Sequence, residues 1–147
     1  MTCCFLGHKD APSSIYPRLE EAIEKLIVEQ NVSSFLFGNQ GHFDGMSLKV
    51  VREMKIKYPH ISYNVVLAYM PTEKDVLQTY EFDETILPEG IETVHPRYAI
   101  SWRNKWMINE SDFVLCYVTH SWGGAARYAD YSQKKNKTVI NIASRSL

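Results

Sequence analysis

No stretch of this chain stays apolar for the ~20 residues that a membrane-spanning helix needs, and neither sign of charge dominates it. Sixteen Lys and Arg stand against 17 Asp and Glu, a formal net charge of −1. The first absence excludes a helical membrane protein. The second leaves no global electrostatic footprint for a phosphate backbone, so nucleic acid is not expected as a partner. Cysteine is scarce: Cys3, Cys4 and Cys116, an odd count without CxxC spacing. That argues against a disulfide framework and against structural zinc. The N-terminal MTCCFLGHKDAP has no basic segment ahead of its apolar run, so no secretory leader is read there and a cytoplasmic location is expected. Glycine (7) and proline (6) are few and scattered, which leaves no linker, repeat or low-complexity tract. What remains is ordinary globular material. At 147 residues with 45% hydrophobic content, one domain over 1–147 with its own core is expected.

The order of patterns is more informative than the composition. Short apolar runs at 3–7, 33–38, 61–69, 112–118 and 137–142 read as strands, and 91–94 as a further short one. Between them, 16–30, 44–58, 98–109 and 124–135 read as helices, with a short one near 73–80. Asp44 is placed as the cap of the second helix, and 81–90 as loop. Strands that alternate with amphipathic helices and lack in/out alternation imply a mostly parallel sheet covered on both faces. The expected fold is a Rossmann-like three-layer α/β sandwich, sheet order about 3-2-1-4-5 over the five longer strands. Ligands in such sheets bind beyond the carboxyl ends of the strands, where strand order reverses. Here that point lies between the strands at 3–7 and 112–118.

Three loops should meet at that edge. The first runs Gly7, His8, Lys9, Asp10; the second carries Gly38, Asn39, Gly41, His42 and Asp44; the third carries His120, Trp122, Gly123, Gly124 and Ala125. Their glycines permit close backbone approach, and the helices that follow offer uncapped N–H groups to an anion. Neither GxGxxG nor GxxxxGK[ST] is present, so no cofactor is assigned. His8, His42, His120 and Asp44 fall at this edge without metal-ligand spacing, so no metal is assigned either. Arg97, Arg103 and Lys9 are the cations expected near the cleft. Arg103 is read as a phosphate contact or as a surface ion pair, Asn104 as reading a base or a ribose hydroxyl, and Trp122 as a base-stacking surface.

FLGH at 5–8, FGNQGHFDG at 37–45, RYAISWRNKWMINESDFVLCYV at 97–118 and WGGAARYADYSQKKNKTVINI at 122–142 together resemble the SLOG superfamily. More closely they resemble its YpsA-like branch of small stand-alone proteins. Arg103-Asn104, Met107-Ile108, Ser111-Asp112, Gly123-Gly124-Ala125 and Tyr128-Ala129 fall in register with that branch. The resemblance implies a Rossmann-like fold that binds nucleotides or nucleotide-derived ligands. It departs at Asn39, where a second glycine is usual, at Lys9 for Arg, and at Ala125 for Thr. The phosphoribohydrolases of the LONELY GUY branch carry a catalytic Glu where this chain has Tyr128, which argues against their chemistry. The expectation is a homo-oligomeric sensor, sponge or carrier of a nucleotide-derived small molecule. The alternative is a hydrolase of a phosphoester or N-glycosidic bond that uses His8 or His120 with Asp44.

Overall fold

The computed structural model describes residues 1–69 and 84–143. In chain order the elements are β1 (Thr2–Gly7), α1 (Tyr16–Glu29), β2 (Ser34–Phe37), α2 (His42–Lys57), β3 (Ser62–Val66), β4 (Thr85–Ile86), α3 (Ala99–Asn109), β5 (Phe113–Tyr117), α4 (Gly124–Lys134) and β6 (Thr138–Asn141). The six strands form one sheet, parallel throughout, in the order β4-β3-β2-β1-β5-β6. The order reverses between β1 and β5, whose register sets Gly7 beside Tyr117.

Successive residues of β1 feed opposite layers, as the pleat requires. Cys3 and Phe5 enter the larger core under α1 and α2, where the Phe5 and Phe37 rings stack at 4.6 Å. Cys4 and Leu6 enter the smaller core with Met107 and Ile108 of α3. The large core follows from the sequence: Leu19, Ile23, Leu26 and Ile27 make one stripe of α1, and Met46, Val50, Val51 and Met54 one stripe of α2. Both α1 and α4 are followed, one residue past the cap, by an asparagine in the left-handed region, Asn31 (φ 57) and Asn136 (φ 60). Asparagine tolerates that conformation and ends the helix there. The three cysteines are buried and free. Burial pushes Cys4 and Cys116 up to about 12 and raises Cys3 as well, so none supplies a thiolate at neutral pH.

The structure departs from the sequence-based expectation in three places. The sheet gains an edge strand, Thr85–Ile86, inside the stretch read as loop. Ile91–Thr93, read as a strand, is a 3₁₀ turn that begins after Gly90 (φ 93); a left-handed glycine breaks the extension a strand needs. α2 begins at His42 with Gly41 at its cap, so Asp44 sits inside the first turn. The helix expected near 73–80 falls outside the described residues. No helix among the described residues is long and apolar enough to cross a membrane.

Candidate nucleotide-binding cleft

α3 does not carry an ordinary apolar stripe. Its buried residues are Ala99, Arg103, Asn104, Met107 and Ile108, so a cation and an amide sit where two aliphatic side chains would be expected. That anomaly marks the site. A cleft of about 310 Å³ opens beyond β1 on the α3/α4 side of the sheet. Gly7, His8 and Lys9 form one wall, Gln40 and Asp44 a second, Ile100, Arg103, Asn104 and Met107 a third. Gly124, Ala125 and Tyr128 of α4 close it. Its size lies at the lower end of small-molecule sites.

Arg103 is 1% exposed and binds protein on several sides. Its Nε donates to Asn104 Oδ1 at 2.7 Å, and its Nη1 donates to Val66 O at 2.8 Å and to Asn39 Oδ1 at 3.1 Å. It is therefore no surface ion pair. The guanidinium fork ties α3 to the end of β3 and to the β2–α2 loop. Asn39 supplies one of its acceptors. Gly38 lies between two charges: a Cβ there would stand 2.9 Å from Asp44 Oδ2 and 3.2 Å from Arg103 Cζ.

Asp44 is half-buried in the cleft wall, and Gln40 N donates to its Oδ2 at 2.9 Å. Desolvation lifts its carboxyl to about 6, although the Gln40 amide and the Arg103 charge both act to lower it. A folded-state value raised above the unfolded ~3.9 favours the protonated form. Stability from this group is then fully present below pH ~4 and is lost as pH rises through about 6. The ionised carboxylate therefore costs the fold about 2–3 kcal/mol at pH 8. Asp44→Asn keeps an acceptor for the Gln40 amide and removes the charge. We expect it to exceed wild type in stability by about 2 kcal/mol at pH 8 and to match it at pH 4. Chemical denaturation at the two pH values checks this; equal stability at pH 8 would show the carboxylate to be fully compensated.

Beyond the cleft the histidines form a ladder. His8 stacks on His120 at 4.1 Å, and His120 on Trp122 at 4.0 Å, both pairs within 20° of parallel. Thr119 N donates to His8 Nε2 at 3.0 Å, which places the neutral ring's proton on Nδ1. Desolvation and the neighbouring His120 lower the pKa of His8. Its neutral form is preferred in the fold, and the stability it contributes above pH ~6.5 is lost on acidification. His120 Nδ1 lies 2.8 Å from Trp122 O and donates to it, because a carbonyl only accepts. His42 leaves the site: its Nδ1 donates to Ala11 O at 2.6 Å and pins the β1–α1 loop.

Of the residues singled out from the sequence, Gly7, His8, Lys9, Asp44, Arg103, Asn104, Gly124 and Ala125 line one cleft. Gly38 and Asn39 stand behind it on Arg103 and Asp44. Gly41 packs against Lys9. Arg97 does not join them: it is exposed, with its guanidinium 5.9 Å from the ring of its neighbour Tyr98. Trp122 is 68% exposed and reaches the cleft only through the His120–His8 stack. Ile100, Met107 and Gln40 were missed, since nothing in their types or spacing separates them from ordinary helix and loop residues. Among the described residues no group of three or more His, Cys, Asp or Glu is arranged to hold a metal ion.

No protein-family model matches this chain, and no curated protein matches it by sequence. Solved structures do match in shape. DNA processing protein A (DprA) from Streptococcus pneumoniae superposes with a TM-score of 0.66 at 12% identity, over 94% of this chain and 48% of that one. DNA processing protein A from Helicobacter pylori, whose structure is described for its single-stranded DNA binding mode, gives 0.60 at 15% identity, over 95% of this chain and 63% of that one. The chain thus spans about half to under two thirds of these proteins. Such identities show the fold alone, a Rossmann-like α/β sandwich. They also correct one expectation. Nucleic acid was set aside because the net charge is near zero, yet this fold occurs in a protein that binds single-stranded DNA. The charge argument failed because a strand meets one groove, whereas net charge sums the whole surface.

Proposed function

We propose that the cleft between β1, α3 and α4 binds the phosphate-bearing end of a nucleotide or nucleotide-derived molecule, and that the protein is a cytoplasmic binding module of the YpsA-like kind. The observation that carries this reading is the placement of Asp44: its carboxylate stands in the cleft wall and accepts from Gln40 N, and burial pushes it up to about 6, which implies a cost to the fold. Such a cost is expected where a ligand's donors, a ribose hydroxyl or a base N–H, take up the charge. The remaining groups fit the same ligand. α4 starts without a side-chain cap, so the N–H groups of Gly124 and Ala125 suit a phosphate. Lys9 adds a positive charge and His8 an Nδ1–H donor, while Ile100, Met107 and Tyr128 offer apolar surface to a sugar or base.

The test is calorimetric titration with nucleoside mono- and diphosphates, cyclic nucleotides and ADP-ribose. At least one should bind, and Asp44→Asn should weaken it at least about tenfold, the loss of one charge-assisted contact. No heat across the panel would end the proposal. A hydrolytic reading draws on the same carboxyl, because a value of about 6 suits a general acid near neutrality. However, Thr119 and Trp122 already engage one nitrogen each of His8 and His120, and Tyr128 replaces the glutamate of the hydrolases. Chromatography of the incubated ligand separates the two readings: intact recovery supports binding and turnover supports hydrolysis.

A further inference from the structure

Tyr128 is shared by the cleft and a neighbouring hollow. That hollow is a groove of about 530 Å³ between α3 and α4. Lys105 of α3 and Arg127 and Lys134 of α4 border the groove, with Tyr98 and Tyr131 between them and Asp130 the one carboxylate among its lining residues. Arg127, Tyr131 and Lys134 are spaced by four and three, so they share one face of α4. Lys105 reaches across from α3 and holds its Nζ 5.4 Å from the Tyr131 ring. The array is therefore built by two helices. Among the described residues, carboxylates within ion-pair distance hold Lys25, Arg52 and Lys57 and none of the groove cations. Tyr98 is 59% exposed.

We infer that this groove is a track for single-stranded nucleic acid, beside the cleft that takes the first nucleotide. The inference rests on the nucleotide reading for its starting point. Cations along a groove with aromatic faces between them are what a sequence-tolerant single-strand site needs: charges follow the backbone and rings receive the bases. An acidic peptide would satisfy the cations, but its rings are occasional, whereas every nucleotide brings a base to stack. α4 has 11 residues and is ~16 Å long, room for about four stacked nucleotides at ~3.4 Å each. The chain's balanced charge is no obstacle, since α3 carries no carboxylate at all.

The experiment compares wild type with Lys105→Gln/Arg127→Gln/Lys134→Gln, three exposed changes that should leave the melting temperature unaltered. A fluorescent mixed-sequence single strand of about eight nucleotides is followed by anisotropy over a salt series, and the four deoxynucleoside monophosphates by calorimetry. Wild type should bind the strand at least about tenfold more tightly than any monophosphate. The triple variant should lose that advantage, and its salt dependence should fall by about 2, at ~0.7 per phosphate contact in a single strand. Its monophosphate affinity should be unchanged. If strand affinity and salt slope survive in the variant, or the strand binds no better than a monophosphate, the track does not exist. If no monophosphate binds wild type while strand binding still depends on the three cations, the cleft reading fails and the groove stands.

Discussion

Arg103→Met is expected to destabilise the fold by about 3–5 kcal/mol. Methionine keeps the apolar stem but strips three acceptors, Asn104 Oδ1, Val66 O and Asn39 Oδ1, of a charged donor in a buried setting. Those acceptors belong to α3, the end of β3 and the β2–α2 loop, so the loss loosens three elements together. It also removes a positive charge that helps to lower the Asp44 carboxyl, which should then titrate still higher. Arg103→Lys should recover only part of the stability, because a single ammonium cannot reproduce the planar fork. Urea unfolding of the three proteins measures this. A loss below about 1 kcal/mol for Arg103→Met would show that the fork is not what joins these elements.

Gly41→Ala is expected to cost about 3–5 kcal/mol and Gly123→Ala about 1–3. Both glycines cap helices in the same conformation, φ 91, ψ −178 and φ 92, ψ 178. That region is essentially glycine-only and costs other residues about 1–3 kcal/mol. The surroundings differ. A Cβ at Gly41 would lie 2.6 Å from Lys9 Cα, a backbone atom that cannot swing aside. Forcing the β1–α1 loop away adds about 1–3 kcal/mol. A Cβ at Gly123 would meet only His120 Cε1, at 3.8 Å, an ordinary contact. Equal losses in the two variants would mean that the loop yields without cost. Gly124, by contrast, is helical, and an added Cβ finds only Tyr128 Cε2 at 3.7 Å, so the backbone demand of that turn falls on its neighbour.

The layered architecture and the position of the cleft were legible because they follow from periodicity. Apolar strand runs that alternate with amphipathic helices lead to a parallel sheet and a switch point between β1 and β5. What escaped has physical causes. β4 has two residues, too short for any period to register. The burial of Arg103 was hidden because an arginine on a helix next to Asn104 reads the same whether the helix turns that face to water or to the sheet. Only the carbonyl of Val66, far off in sequence, settles it. The α3–α4 groove was invisible for a related reason: Lys105, Arg127 and Lys134 are scattered along 30 residues, and their clustering exists only after the two helices pack.

The most direct test of the cleft uses Ala125→Glu. Ala125 is the second residue of α4 and lines the cleft. A glutamate there is favoured by the helix dipole, about 0.3–1 kcal/mol, so the fold should stand or gain slightly. The same carboxylate would occupy and repel the place where an anionic ligand meets the helix N–H groups. Calorimetric titration of the nucleotide panel into wild type and Ala125→Glu, with melting curves for both, is the measurement. The account predicts binding to wild type, none to Ala125→Glu, and a melting temperature unchanged or higher. Equal binding by a stably folded Ala125→Glu would contradict it, because the ligand would then lie elsewhere than at the start of α4.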